Sequence, residues 1–406
     1  MARLARVEIF AADEIAIVHV INRVVRRCFL LGDDPFSGKN YDHRKLWLDE
    51  QLIHQAKYFG IDLLCQAILS NHMHLVLRSR PDAVKEWDDN EVARRWLMLC
   101  PERRDEKRRP LEPTEFEINS IVNNKEKLAI VRSRLSDISW WMRLLSQNIA
   151  QRANKEDGEV GKFWQARYRA VRLLDETAIL ACAAYVDLNP IRAAIAETIE
   201  GSDFTSAQKR AGELRAKFSV ESVQNAEPTK APSSGLSATF SPESGEKGHI
   251  DAAEQSEDRL RGDHEAAALQ NPRLAPCSLL GASHLAPVEL KGRSRETGPC
   301  IHKAGARCSN KGFLPMSTAD YLSLLDWTAR QDRPDKPGST PNHVAPLLDR
   351  LGISADVWCR LVRDFGKLFS VVAGQPQNID EHRSGSKNVS RRFHARRETR
   401  ELLASV

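Results

Sequence analysis

The residues best suited to chemistry lie in two short stretches, far apart in the chain. The first is Asn71-His72-Met73-His74-Leu75-Val76-Leu77. On an extended strand successive side chains alternate between faces, so His72, His74 and Val76 share one face and Met73, Leu75 and Leu77 the other. Two imidazoles at i and i+2 stand about 7 Å apart along the backbone, near enough to converge on one divalent cation. The same pair also reads as two hydrogen-bonded or half-exposed rings on a sheet face. The second stretch runs from Ala178 through Tyr185-Val186-Asp187-Leu188-Asn189-Pro190. Its small residues let a helix approach a sheet closely, and Tyr185 with Asn189 is an i, i+4 pair able to face one way. Pro190 biases Asn189 away from helical geometry and suits the first residue of a following helix, Ile191 to Thr198. By local rules alone, Asn189 is an N-cap and Tyr185 a core aromatic.

These side chains need a scaffold, and the first 200 residues supply an alternation of strand and helix patterns. Ile15 to Ile21 reads as a strand, and Tyr41 to Phe59 as an amphipathic helix that stops at Gly60. Ile61 to Leu69 and His72 to Leu77 form a hairpin about Ser70-Asn71. A charged helical stretch spans Asp82 to Lys127. Ile138 to Arg152 is a helix, Phe163 to Leu173 a strand and Glu176 to Val186 another helix. The fold class is α+β.

In order and spacing, three motifs resemble the HUH-type single-tyrosine transposases, specifically the REP-associated tyrosine transposases related to the insertion-sequence-200 type. They are His72-Met73-His74 on its strand, Tyr185 in Tyr-Val-Asp-Leu-Asn-Pro-Ile-Arg, and the preceding Phe163-Trp-Gln-Ala-Arg-Tyr-Arg. The resemblance covers approximately residues 10 to 200. It implies a ferredoxin-like fold with a central antiparallel sheet, and Mg²⁺ or Mn²⁺ held by His72, His74 and Asn189 to polarise a scissile phosphate. Tyr185 would be the nucleophile, leaving a 5′-phosphotyrosine and a free 3′-hydroxyl on single-stranded or hairpin DNA. Tyr168 is a rival nucleophile, placed less well in Arg167-Tyr168-Arg169. Asn stands where some relatives carry Gln, so the shorter side chain should hold the ion more weakly. A homodimer is open, with Tyr185 serving its own subunit's ion or a partner's.

Electrostatics points to the same partner. Lys and Arg number 60 against 55 Asp and Glu, a net charge of only +5, so a polyanion site must come from clustering. Arg23, Arg26 and Arg27 follow the first strand, and Arg167, Arg169 and Arg172 are read as alternating along one face of the strand that precedes Tyr185, giving a candidate phosphate-tracking groove. Arg103, Arg104, Lys107, Arg108 and Arg109 form a third cluster, interleaved with acids and equally readable as solvated surface. Trp140, Trp141 and Trp164 are candidates to stack on unpaired bases. Two rival classes remain: a DNA-hairpin-binding protein that keeps the fold without the chemistry, and a metal-dependent hydrolase with no covalent intermediate.

Along its 406 residues the chain divides into four parts. Residues 1–202 form the catalytic unit, with a charged insert at about 82–135. Residues 203–309, rich in Ser, Ala, Gly, Pro and Glu, read as a disordered linker. Residues 310–375 read as a small all-α module with helices at Thr318–Arg330, Pro341–Leu351 and Ala355–Val372, and residues 376–406 as a basic tail. No apolar run approaches the roughly 20 residues of a membrane span, the charged opening lacks a secretory core, and the scattered cysteines suit reduced thiols. A cytoplasmic protein is expected. Cys277, Cys300, His302 and Cys308 do not match paired zinc-ligand spacing.

Overall fold

The computed structural model describes residues 9–11, 13–25, 28, 30–35, 37–224, 281–290, 300–302, 305–331, 353–385 and 394–404. Strand β1 (Ile17–Arg23) is followed by helix α1 (His43–Tyr58) and the hairpin β2 (Ile61–Ile68) and β3 (His72–Ser79). Five helices intervene next: α2 (Pro81–Lys85), α3 (Asp89–Leu99), α4 (Glu115–Val122), α5 (Lys125–Leu135) and α6 (Ile138–Asp157). Then come β4 (Arg169–Leu173), α7 (Glu176–Asp187), α8 (Asn189–Arg192) and α9 (Ser206–Gln224). The last elements are α10 (Thr318–Gln331), α11 (Ala355–Leu368), β5 (Val372–Ala373), α12 (Pro376–Gly385) and α13 (Arg397–Ala404).

The sheet runs β2-β3-β1-β4-β5. Its first four strands pair antiparallel, and β5 joins β4 in parallel. A β-α-β-β-α-β path with β1 and β3 central is the ferredoxin-like arrangement, here with α2 to α6 filling the second crossover. The pleat sorts side chains as the alternation predicts. Val18, Val20, Met73, Leu75 and Leu77 face Leu48 and Leu52 of α1 and Trp141 and Leu145 of α6. Val76, Val171 and Leu173 face the small residues Ala181 to Ala184 of α7. Asp175 caps α7 by accepting from the Ala178 amide at 2.9 Å, satisfying one of the helix's open donors.

Several expected elements are redrawn. Residues 163–168 are irregular, and the strand begins only at Arg169. The helix expected over Ile191 to Thr198 shrinks to α8, after which Ala194 takes a left-handed φ of 53°. The helix α1 ends at Tyr58 with Phe59 extended, and Gly60 just beyond it is there for space: a Cβ would lie 2.1 Å from Val84 Cγ2.

The linker expected from residue 203 opens instead with α9, which packs on β2. Its Lys209 is buried and pairs with buried Asp49 at 2.8 Å, and Arg210 donates to the Leu64 carbonyl at 2.6 Å. The apolar residues of α9 are outnumbered by polar ones, so average composition does not mark it as a packed helix. Residues 225–280 and 291–299, and the helix expected at Pro341–Leu351, lie outside the described residues.

The C-terminal elements share the sheet's core. Trp327, Trp358, Leu361 and Phe365 belong to the same apolar cluster as α7 and β4, and β5 extends the sheet. The described tail is partly folded as α12 and α13, where Arg400 pairs with Asp380 at 2.8 Å and Arg397 with Glu401 at 2.7 Å. In the charged insert Arg103 pairs with Glu117 and Arg109 with Asp105.

Candidate active site

The register of β1 decides which side chains meet. Ile21 lies opposite His74, Arg23 opposite His72 and Ile21 opposite Arg169, so His19, Arg23, His72, His74 and Arg169 share the face covered by α7. His19 and His74 are both buried, with rings stacked at 5.2 Å and interplanar angle 14°. Their Nε2 and Nδ1 atoms are 2.9 Å apart. His74 Nε2 in turn lies 3.3 Å from Asn189 Nδ2.

With the Asn189 amide nitrogen facing His74, these contacts are met by one set of tautomers. An amide nitrogen can only donate, so in this arrangement His74 Nε2 accepts, and its Nδ1 carries the proton and donates to His19. His19 Nδ1 then holds its own proton; it is buried and has no hydrogen-bond partner among the described residues. His72 Nδ1 donates to Asn71 Oδ1 at 2.6 Å, which leaves its Nε2 lone pair available. The His72 and His74 ring centroids are 4.9 Å apart. Burial, reinforced by nearby Arg23, lowers His72 to about 4. Burial, then Arg169, lowers His19 to about 3. Burial, with the two neighbouring imidazoles and the arginines, holds His74 well below the ordinary value. All three are neutral at pH 7, the form that binds a cation.

Asn189 is not an N-cap. Leu188 occupies that position in α8, which has no side-chain cap, and the Asn189 amide turns to His74. Tyr185, one turn earlier, sets its ring edge-on to His74 at 5.5 Å and to His19 at 5.9 Å. Phe365 of α11 packs on Tyr185 at 5.7 Å, and the Arg192 guanidinium stands 5.0 Å from its ring centroid. The hydroxyl lies against Gly366, where an added Cβ would stand 3.2 Å from it. Burial raises the phenol's pKa, while Arg192, Arg169 and Arg23 act the other way.

A cavity of about 420 Å³ opens beside this cluster, lined by His72, His74, Tyr185 and the arginines Arg23, Arg167, Arg169, Arg192 and Arg363, with Lys367. Arg169 also donates to the Phe369 carbonyl at 2.7 Å, and Arg192 donates to the carbonyls of Val362, at 3.3 Å, and Arg363.

Arg172 does not join this set. Three residues beyond Arg169, it falls on the opposite face, where it pairs with Glu14 at 2.5 Å. Arg26 and Arg27 lie outside the described residues. Tyr168 directs its hydroxyl to Ser139 Oγ at 3.2 Å, away from the two-histidine motif.

Sequence reasoning missed His19, Arg192, Arg363 and Lys367. A lone histidine inside an apolar strand was the available signal for the first. Arg192, at the end of the Asn-Pro-Ile-Arg motif, was the signal for the second. The last two come from a segment whose docking no local pattern reveals.

Among the described residues no group of three or more His, Cys, Asp or Glu side chains is arranged to hold a metal ion. The donor set here is of another kind: two neutral imidazoles and one amide, which turned about its Cβ–Cγ axis offers oxygen instead of nitrogen. Two neutral imidazoles with ring centroids 4.9 Å apart, one of them backed by His19, are the donor type a divalent cation takes.

No protein-family model matches the chain, and no curated protein matches it. Among solved structures, it is similar to a REP-associated tyrosine transposase bound to a REP hairpin, at 13% identity and a TM-score of 0.28. The alignment covers 60% of this chain and 100% of that one. No helix among the described residues is long and apolar enough to cross a membrane.

Proposed function

We propose that this protein cleaves and rejoins single-stranded, hairpin-containing DNA through Tyr185. The observation that carries the reading is the meeting of the Tyr185 ring with His74 and His19, beside the Asn189 amide, at the wall of a cavity rich in arginine. Tyr185 Oη loses its proton and forms a bond to phosphorus. The bond from phosphorus to the 3′ oxygen breaks, and that oxygen takes up a proton and leaves as a 3′-hydroxyl. A second strand's 3′-hydroxyl reverses the step, so the phosphotyrosine conserves the bond.

The chain's own groups have separable roles. Arg23, Arg169 and Arg192 neutralise the backbone phosphate and oppose the effect of burial on the phenol. His72, His74 and Asn189 would hold Mg²⁺ or Mn²⁺, which supplies charge to polarise the scissile phosphate. The mixed nitrogen and oxygen donors suit Mn²⁺ better than Mg²⁺, which prefers oxygen throughout.

The packing of Phe365 and Gly366 on Tyr185 favours a second reading, a DNA-hairpin binder without chemistry, because it crowds the nucleophile. An end-labelled hairpin with a single-stranded flank and Mn²⁺ separates the two. The cleavage reading predicts a protein-DNA adduct that survives denaturation and vanishes in Tyr185→Phe. A binder gives a salt-sensitive shift and no adduct.

A further inference from the structure

A cavity of about 820 Å³, which shares no residue with the Tyr185 cavity, lies where α9, the segments 282–289 and 302–310 and the start of α10 meet. Its volume suits a small ligand. Two guanidinium groups line it, Arg210 from α9 and Arg307. Arg210 is only 4% exposed. Its Nη2 donates to the carbonyls of Leu64 at 2.6 Å and Ala286 at 3.1 Å, while Nη1 is buried with no hydrogen-bond partner. Arg307 donates to the carbonyls of Ser309 at 3.2 Å and Ser283 at 2.7 Å and to Asn310 Oδ1 at 2.8 Å. Neither forms an ion pair among the described residues. Carbonyl dipoles orient such a cation without neutralising it, and a buried charge left in that state is costly.

The third wall is the N-terminus of α10, a helix of 14 residues. Ser317 Oγ accepts from the Asp320 amide at 3.0 Å and donates to the Asp320 carboxylate at 2.7 Å. That cap uses the third amide of the helix and turns its acid back onto the serine. The amides of Thr318 and Ala319, at the cavity wall, keep no acceptor among the described residues, and they carry the positive end of the helix dipole. Burial, together with the charge of Arg210, holds Arg307 below the ordinary guanidinium value, although Glu213 and Asp62 act the other way. We propose that this cavity binds a phosphate group. An oxyanion there meets the unpaired guanidinium charge and the open amides at once. Glu213 and Glu289 also line the cavity. Carboxylates repel the phosphate itself but accept hydrogen bonds from hydroxyls, so the occupant is a phosphate ester of a nucleoside or polyol rather than the free ion. None of this depends on the DNA reading of the Tyr185 cavity.

Hydrogen exchange followed by mass spectrometry on the full chain tests this, with AMP, inorganic phosphate or neither present at about 5 mM, enough to fill a site of millimolar affinity. AMP should slow exchange in peptides covering residues 317–321 and 282–289 by roughly threefold or more, and inorganic phosphate by less. Anions collecting on the arginines beside Tyr185 protect different peptides and are told apart by position. Ala319→Glu sets a carboxylate at an exposed position beside the open amides. A glutamate suits the first turn of a helix, so this variant should fold as the wild type does and lose the protection. Arg210→Gln should lose it as well. Protection in Ala319→Glu equal to that of the wild type, no protection by either ligand, or protection confined to the Tyr185 cavity would overturn the site. Stronger protection by inorganic phosphate than by AMP would support the anion site and overturn the ester. Tyr185→Phe should change none of these results, so a failure of the cleavage reading is seen separately.

Discussion

At the residue scale, the proposed donor set depends on how one imidazole is held. His74 offers its Nε2 lone pair when its Nδ1–H donates to His19 Nε2, 2.9 Å away. Replacing His19 with Ala should weaken Mn²⁺ binding by roughly 10- to 100-fold, the usual effect of losing a ligand's orienting partner. Titration of Mn²⁺ followed by electron paramagnetic resonance reads this directly, and hairpin affinity in the absence of metal should stay unchanged. Retained Mn²⁺ affinity would remove His19 from the site.

Arg172 makes the opposite point. Burial by itself would raise the Glu14 carboxyl, but the hydrogen bond and charge of Arg172, with the Ala11 amide and His382, leave it below its ordinary value. A lowered carboxyl pKa contributes stability above the unfolded value that is lost as pH falls through the folded one. The pair is part-exposed, so its worth is about 0.5–1 kcal/mol after screening. Arg172→Ala should cost that much in urea unfolding at pH 7, progressively less on acidification, and nothing in hairpin affinity. That His72 and His74 share one face was legible from their period-two spacing, whereas Tyr185, by local rules a core aromatic, was singled out only by the family resemblance. Arg172 was misread because an offset of three from Arg169 inverts the face on a strand.

At the element scale, α7 is the part that must not move. Buried Asp187 at its end accepts from Ser206 Oγ at 2.5 Å, the Ala207 amide at 3.0 Å and the Tyr321 hydroxyl at 2.7 Å. One carboxylate thus ties the tyrosine helix to α9 and α10. Asp187→Ala strands three buried donors and should cost about 2–4 kcal/mol in urea unfolding. A loss below about 0.5 kcal/mol would show that the three helices are held otherwise. Strands and helices with strong local periodicity were readable in advance. Segment 163–168 was not, because its aromatic residues, Phe163, Trp164 and Tyr168, imitate a strand although the chain there is irregular. Nor was β5, whose two residues pair with β4 and carry too little pattern to stand out.

At the scale of the whole molecule, the described N-terminal region and C-terminal segment share one apolar core. Asp175, which caps α7, also accepts from the Gln375 amide at 2.6 Å and Asn378 Nδ2 at 2.8 Å. Composition marked 310–375 as a separate module because docking across some 200 residues leaves no local signature. A fragment ending at Gln224 exposes the α7 and β4 apolar surface that Trp358, Leu361 and Phe365 cover. It should lose cooperative thermal unfolding and bind a hydrophobic dye. A fragment that melts as sharply as the full chain would restore the two-module view.

The most direct measurement is mass spectrometry of the full-length protein after incubation with Mn²⁺ and a cleavable single-stranded hairpin. A peptide carrying a 5′-phosphodeoxynucleotide on Tyr185, absent from Tyr185→Phe and sharply reduced in His72→Ala, is the predicted result. Tight hairpin binding with no modified tyrosine, or strand cleavage that persists in Tyr185→Phe, would contradict it.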